Sequence, residues 1–469
     1  MRDVKNKFGA AGFPLIGFIL ALVLFAPATP LAFEMVMDDN HLSIDADRVP
    51  LSEMLRRLSE SGVRVSISPG IVHEVTARFD RRPIAAGLAA ILRPLNHSLV
   101  WETVQTPLGP VNRLAEIAIF RAGESRPPPV ATVSRPVLGI RTDPKTGVSY
   151  VAHQIMLAFD ETMDAESFKA LLARIGGRLI DVDPVLGVYR IAVPGDEDIP
   201  DLCRRLALEP GVAAAEPNYA FRMQPALPWT APLSVPDSNP AGLSLADEVA
   251  PVAVLDSGWR EDPAYANVVV AAYDALAPDT PIDDAVGHGT QMALIASGQI
   301  RPSGAEGQTK NTGVPVVAVR IFDESGYTAS SVLMRGIDFA LKAGARVISL
   351  SWGAAAPSTF IEQAVHMARD RGAVVVAAVG NDNTGQPVYP AAFEGVVGVG
   401  ALNPDGTVWP RSNQGDFVAL LAPGFASLPV GSQGEPPGAY AGTSIAAAYT
   451  AGRLALEMSR NPAAFKSSK

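Results

Sequence analysis

Residues 251–258 read PVAVLDSG, four uninterrupted apolar residues from Val252 to Leu255 that stop at Asp256, Ser257 and Gly258. A strand with one wet face alternates apolar with polar residues. A continuous apolar run belongs to a parallel strand covered on both faces. The same pattern returns at Val316–Ile321, Val347–Leu350, Val374–Val379 and Val396–Val399, with amphipathic helical stretches between the runs. Strands alternating with helices predict an α/β, doubly wound parallel sheet over residues 250–469.

In an open sheet of that kind, sites form beyond the carboxyl ends of strands and at the starts of helices. Four chemistry-bearing residues fall there. Asp256 ends the first strand. His288 lies in VGHGT (286–290) and opens the helical stretch QMALIASG. Asn381 follows the strand AVVVAAV in VGNDN (379–383), and Ser444 lies in YAGTSIAAAYTAG (440–452) ahead of an alanine-rich helix. A serine hydroxyl is a poor nucleophile until a base removes its proton. Histidine, with an ordinary pKa of ~6.5, takes that proton and returns it to the leaving amine. A buried aspartate fixes the imidazole tautomer and stabilises the imidazolium. Backbone N–H groups at the helix start and the Asn381 amide suit a developing oxyanion. Each motif alone is commonplace, since D-S-G and G-N mark turns, G-T-S is a weak cap and H-G-T an ordinary loop. Together, in the order Asp, His, Asn, Ser, they point to acyl transfer by a serine nucleophile.

Around these motifs stand GVPVVAVRIFD (313–323), GIDFALKAGARVISLSWG (336–353), YPAAF (389–393), RSNQG (411–415) and LLAPG (420–424). Residues 250–460 thereby resemble the subtilisin-like (S8, subtilase) serine peptidases. That resemblance implies an endopeptidase acting on a polypeptide substrate, with Asp256, His288 and Ser444 as triad and no cofactor needed for catalysis. It implies oxyanion donors in the Asn381 amide and the Ser444 backbone N–H. It also implies that Ser351, Trp352 and Gly353 pair with the substrate backbone, while Ala378, Val379 and Gly380 line the opposite wall; an extended peptide would add there as a strand. Two positions depart from the family pattern. Ala448-Tyr449 replace Pro-His, and Gln291 replaces a second histidine.

Three further stretches precede this region. Arg2, Lys5 and Lys7 lead into the apolar run Phe13–Ala26 and then Ala28 and Ala32, so 1–32 read as a signal peptide or a membrane anchor. Export follows from either. Residues 40–122 use one pattern twice: Pro50 before Leu51, Leu55 and Leu58 and then VRVSI, and Pro83 before Ile84, Leu88 and Ile91 and then Leu99 and Trp101. Proline suits a first helical turn, and the apolar spacing gives each helix one buried face. On LSIDADRVPLSEMLRRLSESGVRVSISPGIV and RFDRRPIAAGLAAILRPLNHSLVWE this small α+β unit resembles the short N-terminal (STN) domain of secretins and TonB-dependent transducers. That implies a periplasmic module docking an envelope protein in a Gram-negative cell. Residues 123–148, rich in proline, read as a linker. Residues 149–222 read βαββαβ, a ferredoxin-like order. With its ending PGVAAAEPNYAFR, this second small unit resembles the subtilase propeptide. Residues 223–249 read as an exposed processing linker, to be cut between about 222 and 250.

Composition narrows the alternatives. A net charge of −10 leaves no basic excess for nucleic acid. Cys203 stands alone, so the chain has no internal disulfide. His41, His73, His97, His153 and His366 lack metal-ligand spacing. The acidic pair Asp283–Asp284 and the Asp382–Asn383 step are candidate structural calcium loops without an assigned site. A different class of function, an envelope scaffold whose protease fold only binds peptide or is regulated, is opposed by the intact Asp256, His288, Asn381 and Ser444.

Overall fold

The computed structural model describes residues 33–461 apart from 39–40, 61–62, 69, 107–108, 122–137, 196, 231–243, 246–248, 279, 306–311 and 433–434. Residues 1–32 and the reading of them as a leader lie outside the described residues. No helix among those described is long and apolar enough to cross a membrane.

The two copies of the pattern near the N-terminus are each a strand, a helix and a strand: His41–Pro50, Leu51–Glu60 and Arg64–Ile67, then Glu74–Pro83, Ile84–Ile91 and Asn96–Thr106. The first strands of the copies pair with each other, and the second strands flank Gly109–Phe120 in another sheet. Leu51, Leu55 and Leu58 from one helix and Ile84, Leu88 and Ile91 from the other are buried in one core.

The next unit runs β1 (Ser149–Phe159), α1 (Ala165–Ile175), β2 (Arg178–Asp183), β3 (Val188–Ala192), α2 (Ile199–Leu206) and β4 (Val212–Arg222). Its antiparallel sheet has the order β4-β1-β3-β2. Asp164 caps α1 by accepting from Ser167 N, and Asp198 caps α2 by accepting from Asp201 N. Alternation along β1, shifted by one residue at the irregular step around His153 (φ +60°), decides what each face covers. Ile155 and Leu157 pack under α1 and α2, whereas Val151 and Met156 turn outward into the core of the following unit. Burying a side chain of that size contributes about 1.5–3 kcal/mol, so the sheet is held by both faces. Cys203 is buried on α2, and burial raises its thiol pKa far above the usual range, leaving it inert.

After a short strand β5 (Leu227–Pro228) comes the large unit. It is built from β6 (Val252–Asp256), β7 (Val269–Asp274), α3 (His288–Ala296), β8 (Val316–Arg320), β9 (Tyr327–Ala329) and α4 (Ser330–Lys342). There follow β10 (Val347–Leu350), α5 (Thr359–Asp370), β11 (Val374–Ala378), β12 (Val397–Leu402), β13 (Leu420–Pro423), β14 (Phe425–Leu428), β15 (Gly438–Ala441) and α6 (Thr443–Arg460). Seven strands form one parallel sheet in the order β7-β8-β6-β10-β11-β12-β13. Every residue of β6, β8 and β10 is buried, as the uninterrupted apolar runs require. Val252 and Val254 face a core shared with α3 and α6; Ala253 and Leu255 face one shared with α4 and α5.

The pair α3 and α6 lies inside the molecule, and its contact is unusually close. A Cβ on Gly452 of α6 would fall 2.1 Å from the Ala296 carbonyl of α3. Only glycine fits there, with Ala447, Ala448 and Ala451 filling the seam. The sequence spends small residues on α6 because its neighbour is a backbone. The starts of these two helices carry His288 and Ser444.

Candidate active site

Asp256 is the last residue of β6 and fully buried. One carboxylate oxygen, Oδ1, accepts from Ser257 N at 2.7 Å and lies 2.7 Å from His288 Nδ1. That hydrogen bond assigns the proton to Nδ1 and leaves Nε2 as the basic atom. The approach needs two glycines in contact: a Cβ on Gly289 would sit 2.4 Å from the Gly258 carbonyl. This explains why D-S-G and H-G-T carry glycine where they do. Burial by itself pushes the imidazole pKa down. The charge and hydrogen bond of Asp256, with the charge of Asp284, outweigh it, so His288 titrates above its ordinary value.

Asp284 was not singled out for this role by sequence reasoning. Its buried carboxylate accepts from Ser257 Oγ at 2.8 Å and Gly287 N at 2.7 Å on one oxygen. The other oxygen accepts from Thr290 N at 2.7 Å and Thr290 Oγ1 at 2.6 Å. Four donors saturate it, so the residue ties the loop after β6 to the first turn of α3 and has no lone pair directed to a cation. Asp382 is exposed, with Arg411 3.8 Å away, and Asn383 bonds Pro410 O and Gln414. Asp284 is thus committed to the protein's own donors, and Asp382 faces Arg411. Among the described residues no three acidic, histidine or cysteine side chains are grouped to hold a metal.

Asn381 stands three residues beyond the end of β11. Its side-chain oxygen accepts from Thr443 N at 3.0 Å and Thr443 Oγ1 at 2.9 Å. A backbone N–H only donates, so the oxygen must face Thr443, and the NH2 group must face the cleft. There Nδ2 donates to the Pro225 carbonyl at 3.4 Å. Thr443 also accepts from Gly380 N at 3.2 Å, which makes it the hub between the β11 loop and the start of α6. Sequence reasoning saw only a weak cap in this threonine.

Ser444, the second residue of α6, is buried, and its Oγ and His288 Nε2 both lack a hydrogen-bond partner. The structure thus brings Asp256 and His288 into contact and places Ser444 on the helix packed against α3, without joining hydroxyl to imidazole. Catalytic hydrogen bonds are often loose before a substrate is positioned and tighten in the reacting complex.

The expected substrate walls divide. Trp352 is bridged to Met223 as antiparallel backbone, and the Phe221 ring lies 5.0 Å from its indole. Gly380, at φ +98°, is close enough to Gln224 that an added Cβ would sit 3.2 Å from Gln224 Oε1. Ser351 and Gly353 flank Trp352; Ser351 is buried, and a Cβ on Gly353 would fall 2.2 Å from Val388 Cγ1. The side chains of Ala378 and Val379 are in the two cores flanking the sheet, so they pack the scaffold rather than a ligand. The exposed linker expected after residue 222 is instead partly buried at its start: Met223 and Ala226 are each 3% exposed. Met223 is covered because its backbone pairs with Trp352, and Ala226 because it lies close against Gly442 beside Ser444.

Comparison with known proteins bears on residues 139–468. Residues 248–468 match the subtilase family, and residues 139–218 match the fervidolysin N-terminal prodomain. A thermophilic serine proteinase of Bacillus sp. (strain AK1) is 30% identical over 322 residues, 66% of this chain and 78% of that protein. Thermitase of Thermoactinomyces vulgaris is 32% identical over 220 residues, 46% of this chain and 77% of thermitase. The crystal structure of fervidolysin from Fervidobacterium pennivorans, described as a keratinolytic enzyme related to subtilisin, shares the fold with a TM-score of 0.52 at 22% identity. That match covers 68% of this chain and 56% of fervidolysin.

Proposed function

From the premise that the chain belongs to the subtilase family and is a subtilisin-like serine endopeptidase with a prodomain, we propose that Asp256, His288 and Ser444 hydrolyse its peptide substrates, assisted by Asn381. The observation that carries this reading is the buried 2.7 Å contact between Asp256 and His288 beside the helix that begins at Ser444. In the reaction Ser444 Oγ attacks the substrate carbonyl carbon while His288 Nε2 takes its proton. Asp256 holds the imidazole by Nδ1 and stabilises the cation that forms. The oxyanion is met by Asn381 Nδ2 and the Ser444 N–H at the positive end of α6. His288 then protonates the leaving amine, and water releases the acyl group by the same relay in reverse. Main-chain pairing at Ser351–Gly353, with Gly380 across the cleft, would hold the substrate as an added strand. No cofactor enters these steps, and no calcium site is assigned.

A fluorophosphonate probe tests the nucleophile. Wild type should be labelled and Ser444→Ala should not; hydrolysis should fall by about 10⁴-fold or more. Equal labelling of both proteins would remove Ser444 from the mechanism.

We further propose a zymogen that processes itself. Residues 149–222 would assist folding and cover the cleft, and 223–249 would contain the cut. The support is the docked sheet β4-β1-β3-β2 and the strand that continues from it into the cleft. Within the same proposal, 1–32 direct export as a signal peptide or anchor, 40–122 form an STN-like module that docks an envelope protein in a Gram-negative periplasm, and 123–148 are a linker only up to the strand Ile140–Thr142, which pairs with β1 and falls within the prodomain match. The charged, apolar and small-residue succession of 1–32 and the doubled strand–helix–strand unit support these assignments. Recovery of the protein from a periplasmic fraction tests the first. Recovery from the cytoplasm alone would refute it.

A further inference from the structure

The cleft is filled by the chain itself, and the manner of filling identifies a bond. Upstream, β4 pairs with β9 through Ala220, Phe221 and Arg222, and Met223 N donates to the Gly326 carbonyl at 2.9 Å. Downstream, β5 pairs antiparallel with β15, Leu227 opposite Ala441 and Pro228 opposite Tyr440. Trp229 N then donates to the Ala439 carbonyl at 2.8 Å, and its ring meets Phe425 edge-on at 4.9 Å. Between these two anchored strands only Gln224, Pro225 and Ala226 lie outside the sheet pairing. A segment pinned at both ends has little freedom to slide, so the residue at its centre is fixed relative to the catalytic groups.

That residue presents its carbonyl to the oxyanion donor. The oxygen reached by Asn381 Nδ2, at 3.4 Å, belongs to Pro225. Next to it, a Cβ on Gly442 would lie 3.1 Å from Ala226 Cα and 3.1 Å from Ser444 Oγ, so the bare glycine leaves one space that the segment and the nucleophile share. Ser444 Oγ and His288 Nε2 are buried there without other partners. We propose that the peptide bond this enzyme cuts in its own chain is Pro225–Ala226. The proposal rests on the catalytic reading above and adds to it the bond and its flanking residues.

The step balances without any added reagent but water. Ser444 Oγ bonds to the Pro225 carbonyl carbon as its proton moves to His288 Nε2. The carbon–nitrogen bond to Ala226 breaks, and that proton passes to the Ala226 nitrogen. Water then opens the ester, giving a Pro225 carboxylate and regenerating Ser444. The geometry also defines a substrate class. Proline has no backbone N–H to offer, so affinity must come from Phe221 to Met223 upstream and from the strand Leu227–Trp229 downstream, with a small residue at Ala226. Peptides of the form FRMQPALPW, residues 221–229, meet those terms.

The experiment expresses the full chain and its Ser444→Ala variant, reads intact mass and the N-terminus of the large fragment, and treats both with the fluorophosphonate probe. The processed wild-type preparation is also incubated with the nonapeptide FRMQPALPW. A fragment beginning at Ala226 in wild type only, and peptide products FRMQP and ALPW, are the expected result. A Ser444-dependent fragment beginning at Pro225, or anywhere beyond Trp229, overturns the bond while leaving the catalytic reading intact. A labelled enzyme that cuts the nonapeptide elsewhere, or leaves it whole, overturns the substrate class. An unlabelled, uncut wild type overturns both this proposal and the reading beneath it.

Discussion

Two polar regions lie near the chain that crosses the cleft, and they treat hydrogen bonding differently. Where the prodomain sheet docks, the side chains that reach across are matched, although Thr328 Oγ1 and Ser330 Oγ beside them are not. Asn218, fully buried on β4, accepts from Ser331 N at 3.1 Å and donates to Gln154 at 2.8 Å, capping α4 from another unit. Glu216 accepts from Thr359 N at 2.7 Å and Ser358 Oγ at 2.8 Å, so its charge sits at the positive end of α5. Arg335 of α4 donates to Asp181 at 2.8 Å. In the cleft, by contrast, Asp256 Oδ2, His288 Nε2 and Ser444 Oγ are buried and unmatched. An unsatisfied buried group costs about 1–3 kcal/mol. The docking face is arranged to hold, whereas the cleft keeps groups in reserve for atoms that arrive during reaction. Stability is concentrated in one region and reactivity in the other.

The sharpest test of that contrast is Asn381→Ala. Its amide donor is held for charge that develops only in the transition state, so turnover should fall by about 10²–10³-fold with little change in KM. Steady-state kinetics on a peptide substrate reads the split. A loss confined to KM would mean that the amide serves ground-state binding, and the proposed contrast would fail at its centre.

Asn218→Ala probes the other region with a smaller expected effect. Loss of a helix cap costs about 0.5–2 kcal/mol. At 1.4 kcal/mol per decade this is about 2- to 30-fold in affinity. Added in trans to the processed enzyme, a prodomain carrying the substitution should inhibit that much less well, while kcat of the enzyme stays the same. A change in kcat, or unchanged inhibition, would break the separation between docking and chemistry.

These two residues also show what the sequence discloses. The parallel sheet was legible because burial on both faces forces uninterrupted apolar runs such as Val252–Leu255. The candidate site was legible because each motif sits at a strand end or helix start, where glycines mark close approaches. Asn218 and Glu216 were not, since E-P-N within a strand carries no local sign that it will cap helices more than a hundred residues away. Thr443 and Asp284 escaped for a related reason. Thr443 works on Gly380 N and the Asn381 side chain, brought near only by the fold, and Asp284 ties Ser257 Oγ to the Gly287 and Thr290 groups through a loop whose shape its own motif does not show. The start of the supposed exposed linker was misread because proline content marks exposed loops on average, whereas Met223 is buried by main-chain pairing and Ala226 by its close approach to Gly442, neither of which composition encodes.

Asp284 supplies the smallest and most specific prediction. Two carboxylates favour the imidazolium of His288, Asp256 by contact and Asp284 through its nearby charge, while Arg260 is directed to the Asp284 main-chain carbonyl. His288 must be neutral to accept the serine proton, so activity rises as pH passes its raised pKa, placing the acid limb of kcat/KM above the ordinary value of 6.5. Asp284→Asn removes one negative charge. The imidazolium loses support, its pKa drops, and the limb moves to lower pH while remaining above that of a variant lacking Asp256. The amide can accept on one side only, so either the two Thr290 bonds or those from Ser257 Oγ and Gly287 N are lost and some stability with them, but lost stability alone lowers yield and leaves the position of the limb unchanged. A limb that stays fixed or moves upward in the folded variant would show that Asp284 is only a structural tie between the β6 loop and α3.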